Sequence, residues 1–332
     1  MRFDDAVGLA LMIWPFRRRR VNFTNPVNGR LWLNLLQSHP RYGLHFKRDL
    51  RMSRHELGFS FSSNRYGLRG PENTLAPNVL LGTSFAMGLS VNDGDNWYEQ
   101  ALDPAQWFNA AMPVGPGNQV KLLDDLYQGS GNTLLYLYHP NIWKTAQGYL
   151  TAEERGSSIF EVMRWKADFK SILSLFPKWI TKEVAKTWIG LSQYRRTNGR
   201  LYYFNAAYCR IDYQTNQDLF RKVSDDFAAL FAKFRRVVIV RVPIKEELAA
   251  DQALSPQLVA LAQTYDCFWN AFAATLAPHV RTYALARSAF NFDDFLPYDT
   301  HWSVQGNLKF AKLLRPILVE TGTSGVQYGF ES

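Results

Sequence analysis

The chain has 332 residues, 47% of them apolar and 20% charged, the make-up of a core-forming globular protein and not of a disordered, collagen-like or disulfide-rich one. Its 38 Lys and Arg against 29 Asp and Glu leave a formal charge of +9, which favours partners that carry negative charge. The two cysteines, Cys209 and Cys267, lie far apart with no metal-ligand spacing, so neither a disulfide framework nor a structural zinc site is expected.

Residues 1–60 read as a basic N-terminal extension. Its apolar stretch from Ala6 to Phe16 is too short to span a bilayer. Asp4 and Asp5 precede that stretch and Arg17 to Arg20 follow it, the reverse of a secretory signal's charge order. The expectation is a cytoplasmic chain without signal peptide or transmembrane helix. Leu11, Ile13, Trp14 and the arginine run could attach it peripherally to an anionic membrane, against the plainer reading of a solvated helix end.

The main unit, residues 61–320, alternates strands and helices. Continuous apolar runs predict buried strands at 78–82, 106–109, 133–138, 236–241 and 280–285. Helical spacing predicts helices over 119–127, over 216–234 with Asn216 as N-cap, and over 304–314 with Ser303 as N-cap and Pro316 as the limit. This alternation predicts a parallel sheet of about five strands between helical layers, an α/β/α fold. An insertion at about 145–205 reads as helical, with Trp165, Phe169, Phe176, Trp179 and Trp188 interleaved with Lys166, Lys170, Lys178, Lys182 and Lys186. A segment this long inside an α/β domain reads as a lid or a docking surface for an anionic partner, such as a glycolipid, or as a plain structural cover. Residues 321–332 form a tail.

Two places carry chemistry. Gly82-Thr83-Ser84 follows the first sheet strand, which presents Ser84 at the carboxyl edge where open α/β sheets bind ligands. A helix following that strand would aim its N-terminal amides at the same point. Near the other end stands Asp299-Thr300-His301-Trp302. A hydroxyl nucleophile needs a base and the base an orienting carboxylate, and Asp299 and His301 are close enough to share one loop. No Walker-type or dinucleotide glycine motif and no nucleic-acid-binding motif is present, so no nucleic-acid partner is expected.

The segments Ser63-Asn64-Arg65-Tyr66-Gly67-Leu68-Arg69-Gly70 and Val79 to Val91, the Gly115-Pro116-Gly117 block, Tyr138-His139-Pro140-Asn141, the turn from Val240 to Glu247 and Asp299-Thr300-His301-Trp302 occur in an order that resembles the SGNH (GDSL-type) hydrolase superfamily, and within it the branch that acetylates polysaccharides. The resemblance implies a flavodoxin-like three-layer fold. It implies Ser84 as nucleophile, His301 as base and Asp299 as its orienting partner. Oxyanion donors would be the amides of Ser84 and of Gly115, with Gly117 the alternative, and the side chain of Asn141. The implied activity is serine-dependent ester hydrolysis or O-acetyl transfer on a carbohydrate or glycolipid. No cofactor is implied, although a transferase would need an acyl donor such as acetyl-CoA. Thr83 stands where the family usually has Asp, and one residue separates Asp299 from His301 where two are usual. These departures motivate the alternative of a non-catalytic glycan-binding or assembly protein on the same scaffold.

Overall fold

A computed structural model of the chain describes residues 35–52, 59–140, 142–143, 145–146, 192–197, 200–205, 216–252, 256–297 and 300–323. Four short strands come first. β1 (Leu36–His39) pairs antiparallel with β2 (Gly43–Phe46), and β3 (Arg51–Met52) pairs antiparallel with β4 (Phe61–Ser62). Leu44, Phe46 and Phe61 are buried in the same apolar core as the central sheet, so the described part of the N-terminal extension packs onto the main unit.

The chain then runs through β5 (Asn78–Gly82), α1 (Trp97–Ala101), β6 (Trp107–Asn109), α2 (Pro116–Leu126) and β7 (Thr133–Tyr138). A hairpin of β8 (Ser192–Thr197) and β9 (Arg200–Asn205) follows. The rest is α3 (Gln217–Phe231), β10 (Arg236–Arg241), α4 (Lys245–Asp251), α5 (Pro256–Ala274), β11 (Val280–Ala284) and α6 (Val304–Glu320).

The central sheet has five strands in the order β11-β10-β7-β5-β6, all parallel. Every residue of β5 and β7 is buried, as expected of strands covered on both faces. Helices flank both faces of the sheet. On one side Tyr136 of β7 meets Phe227 of α3 edge-on at 5.1 Å, and Tyr138 stacks at 5.5 Å on Phe272 of α5. On the other, Trp97 of α1 meets Phe310 of α6 edge-on at 4.9 Å. The result is a three-layer α/β/α fold. Counted along the chain, the sheet order is 2-1-3-4-5. The direction reverses at β5, whose successor β6 lies on one side and β7 on the other, and a crevice opens at the carboxyl ends of the strands at such a point.

Three local expectations are corrected. The end of the insertion, expected to be helical, is the β8–β9 hairpin. Its sequence carries the signal: Asn198-Gly199 lies between Ser192–Thr197 and Arg200–Asn205, the latter with Tyr202, Tyr203 and Phe204, and Asn-Gly is the strongest short-range hairpin dipeptide. The last helix does not stop at Pro316 but continues to Glu320. Proline costs one backbone bond but keeps a helical φ, and burial of Ile317 and Leu318 continues the core-facing stripe begun by Phe310 and Leu314. Asn216 does precede its helix, yet its side chain makes no capping bond. Ser303 does cap α6, accepting from the Gly306 amide. The aromatic and lysine pattern from Trp165 to Trp188, and the segment from Ala6 to Arg20, lie outside the described residues. No helix among the described residues is long and apolar enough to cross a membrane.

Candidate active site

Ser84 stands two residues beyond the carboxyl end of β5, at the point where the sheet order reverses. Gly82 makes the exit from the strand. Its φ is +140°, and a Cβ there would lie 2.7 Å from both the Leu137 carbonyl and the Ala86 side chain, so only glycine lets β5 turn here against β7. The Gly82 carbonyl accepts from the Met112 amide at 3.2 Å and from Gln119 Nε2 at 3.1 Å. These bonds draw the segment carrying Gly115 alongside the end of the nucleophile strand.

The helix expected directly after β5 is not there. Residues 83–90 form consecutive turns, with Met87 N donating to Thr83 O and Leu89 N to Ser84 O. The backbone goes left-handed at Gly88 (φ +64°) and Ser90 (φ +74°), which ends any helical run. The first helix after Ser84 begins only at Trp97. A buried arginine holds these turns. The Arg69 side chain is 1% exposed. It donates to the carbonyls of Met87, Gly88 and Val91 and to Asp93, with the last two acceptors at 2.8 and 2.9 Å. Trp97 Nε1 adds a bond to the Phe85 carbonyl at 3.0 Å.

His301 arrives from the far end of the chain, 217 residues away, and places Nε2 2.7 Å from Ser84 Oγ. A tight antiparallel turn delivers it. Phe295 and Trp302 form a bridge, Leu296 N donates to His301 O at 2.9 Å, and Ser303 N donates to Asp294 O at 2.8 Å. Asp294 is itself held by Lys309 Nζ at 2.5 Å and by the Asn291 amide at 2.8 Å. Trp302 fastens the turn to the core, stacked on Phe310 at 4.6 Å and edge-on to Phe85 at 5.0 Å. His301 is 8% exposed. A neutral imidazole with its proton on Nδ1 accepts the Ser84 hydroxyl proton at Nε2, the arrangement that activates a serine.

The structure therefore brings Ser84 and His301 into contact and sets the Gly115 block beside them. Gly115 is the N-cap of α2. The Gly117 amide bonds instead to the carboxylate of Asp226 on α3, whose pKa burial raises against the pull of Lys222 and that amide. Asp299 and Asn141 lie outside the described residues.

Phe85, the neighbour of the serine, lies between two imidazoles. His139 stacks on it at 4.2 Å, and His301 leans on it at 5.1 Å. Burial holds the His139 pKa well below that of a free histidine, and the charge His301 would carry lowers it further. His139 is therefore neutral beside the reacting pair. Because the unfolded chain protonates this histidine first, stability is full above pH of about 6.5 and is lost as the pH falls below it. His39 and His45, also lowered mainly by burial, act in the same direction. His139→Phe, which keeps a ring against Phe85, is expected to flatten the fall of melting temperature between pH 7 and pH 5, measured by thermal unfolding. An unchanged slope would show that His139 does not carry it.

Sequence reasoning weighed Ser84 and His301 correctly as neighbours in a fold but assigned no structural task to Arg69, Phe85 or Lys245. Arg69 lies within one of the blocks on which the resemblance rests, which is the one signal that pointed near it. No model of a known protein family matches the chain, and no curated protein matches it.

Proposed function

We propose that the protein is a serine-dependent acyl-transfer enzyme that hydrolyses an ester or transfers an O-acetyl group on a carbohydrate or glycolipid. The observation that carries this reading is the 2.7 Å contact of Ser84 Oγ with His301 Nε2 at the carboxyl edge of the sheet. A solvated serine needs no buried imidazole, and a buried imidazole aimed at a partly exposed hydroxyl has a chemical use. The carbohydrate acceptor and the acetyl group rest on the resemblance to the polysaccharide-acetylating branch alone.

In this mechanism Ser84 Oγ attacks the ester carbonyl while His301 Nε2 takes its proton. The oxyanion is met by the amides of Ser84 and Gly115 and by the Asn141 side chain, each such donor being worth about 10²–10³ in rate. His301 returns the proton to the departing alcohol and leaves an acyl group on Ser84. Water or a sugar hydroxyl, deprotonated by the same imidazole, then removes the acyl group. Asp299 orients His301. As a transferase the enzyme would draw its acyl group from a donor such as acetyl-CoA. Gly115 is preferred to Gly117 because the Gly117 amide is engaged by Asp226.

The test is incubation with p-nitrophenyl acetate, with and without a soluble oligosaccharide, followed by peptide mapping after acid quench. The expected result is p-nitrophenolate release with acetyl trapped on the Ser84 peptide, and acetylated oligosaccharide if transfer competes with water. Background release with no acetyl on Ser84 would contradict the reading and fit a glycan-binding protein on the same scaffold.

A further inference from the structure

We infer that Lys245 is a positioning residue for the catalytic imidazole, an inference that rests on the acyl-transfer reading. Lys245 is the first residue of α4, four positions beyond the end of β10, a strand of the central sheet. Its side chain is fully buried, and its Nζ donates to the Leu296 carbonyl at 2.9 Å. An ammonium group is expensive to bury, so one placed in the interior must be held by acceptors whose positions matter. One acceptor, the Leu296 carbonyl, belongs to the turn that carries His301. Leu296 is also the residue whose amide donates to the His301 carbonyl, so the ammonium and the imidazole are linked through one residue.

The rest of that turn is held from outside the sheet. Lys309 of α6 grips Asp294, and Trp302 packs on Phe310 of the same helix. Among the described contacts, Lys245 holds it from the sheet side. Val242 N bonds Tyr138 O and Glu247 accepts from the Ile244 amide, which fixes the connection from β10 into α4 to the neighbouring strand and to the helix start. Glu247 is fully buried and engaged by Arg241 and Arg287 at 2.6 and 3.1 Å. The base of Lys245 is therefore anchored firmly, and its tip ties the His301 turn to the same sheet whose strand β5 leads into Ser84. Removing the ammonium leaves the Leu296 carbonyl without that donor and lets the turn shift. A displacement of about 1 Å is enough to weaken a nucleophile–base contact strongly.

The test uses Lys245→Met, which keeps the buried stem and removes the charge, beside Lys245→Arg, which restores a donor. Two readouts are taken. The first is the ¹⁵N spectrum of the histidine rings, with His301 assigned by its loss in His301→Gln. The wild type is expected to show one tautomer, protonated on Nδ1, and Lys245→Met a shift toward averaged ring signals, partly reversed in Lys245→Arg. This readout does not depend on turnover. The second is steady-state hydrolysis of a small acetate ester, where kcat is expected to fall about 10²-fold in Lys245→Met with KM within threefold, since substrate does not touch this residue. A folded Lys245→Met with unchanged His301 ring signals and kcat within twofold of wild type would overturn the proposal. If Lys245→Met does not fold, Lys245→Gln, which keeps a donor on a shorter arm, is judged by the same two readouts. Failure of the acyl-transfer reading itself would show separately, as wild-type protein that turns over no ester whatever the state of its His301 signals.

Discussion

Ser84→Ala is expected to lower kcat for a small acetate ester by about 10⁴–10⁶-fold, and His301→Gln by a similar factor, while the double variant loses little more than either alone. The reason is that the two groups act as one device. Oγ is a poor nucleophile as a hydroxyl and becomes a good one only while Nε2 takes its proton, and the two atoms stand 2.7 Å apart. Removing either end leaves the other with no partner in the reaction, so the losses cannot add. The expected loss corresponds to about 5–8 kcal/mol of transition-state stabilisation, at 1.36 kcal/mol per tenfold. Ser84→Ala is expected to fold, because Ser84 is partly exposed and its hydroxyl bonds only His301 among the described contacts, the bond from Leu89 N being to its backbone carbonyl. Far-UV and near-UV spectra and melting temperature check that. Losses that multiply in the double variant would mean that serine and histidine work in separate steps.

Arg69→Met is expected to destabilise the fold by about 3–5 kcal/mol, the range for removing one partner of a buried charged contact. Arg69 lies beneath the turns that follow Ser84, with its guanidinium donating to three backbone carbonyls and to Asp93. Methionine has the size to fill the space but donates nothing, so the Met87, Gly88 and Val91 carbonyls lose a buried donor together. Asp93 is one-third exposed and can turn to water, which keeps the cost within the quoted range. For a chain of this length the melting temperature is expected to fall by about 4–7 °C. Arg69→Lys should recover only part, because a single ammonium cannot reproduce a planar fork that spans residues 87–93. Ester turnover, measured well below the melting point, should fall as well, since the same turns carry the Ser84 amide. A variant with unchanged melting temperature would show that the turns are held by other contacts, such as the Trp97 bond to Phe85.

Four strands of the sheet were legible as short, mainly apolar runs, and a strand covered on both faces needs no alternation, whereas Val280–Ala284, also expected to be buried, is an edge strand that carries Arg281 and Thr282 and is partly exposed. Pro256–Ala274 was not recognised as a helix. Its buried residues, Leu258, Leu261, Ala262, Tyr265, Phe268, Trp269 and Phe272, do recur at helical spacing, but Val259, Ala260, Ala271 and Ala274 on the other side are apolar too and lower the contrast between its faces. The turns after Ser84 were misread as helix because left-handed backbone at Ser90 leaves no mark in the residue type. Of the site, the residue types at Ser84 and His301 were legible as a nucleophile and a base, and their contact was expected chiefly through the ordered resemblance of the blocks, because it depends on how β5 and the turn before α6 meet in space. The buried ammonium of Lys245 and the guanidinium of Arg69 were illegible as structural devices. A sequence shows that a residue is charged but not that the fold encloses it.

The central claim is that His301 activates Ser84, and the most direct measurement is reaction with a fluorophosphonate that labels activated serines, followed by intact mass and peptide mapping. The expected result is a single adduct on Ser84 in the wild type. Labelling is expected to slow by at least 10²-fold in His301→Gln and to vanish in Ser84→Ala. Absence of an adduct, an adduct on another residue, or a Ser84 adduct that forms as fast in His301→Gln as in the wild type would contradict the account.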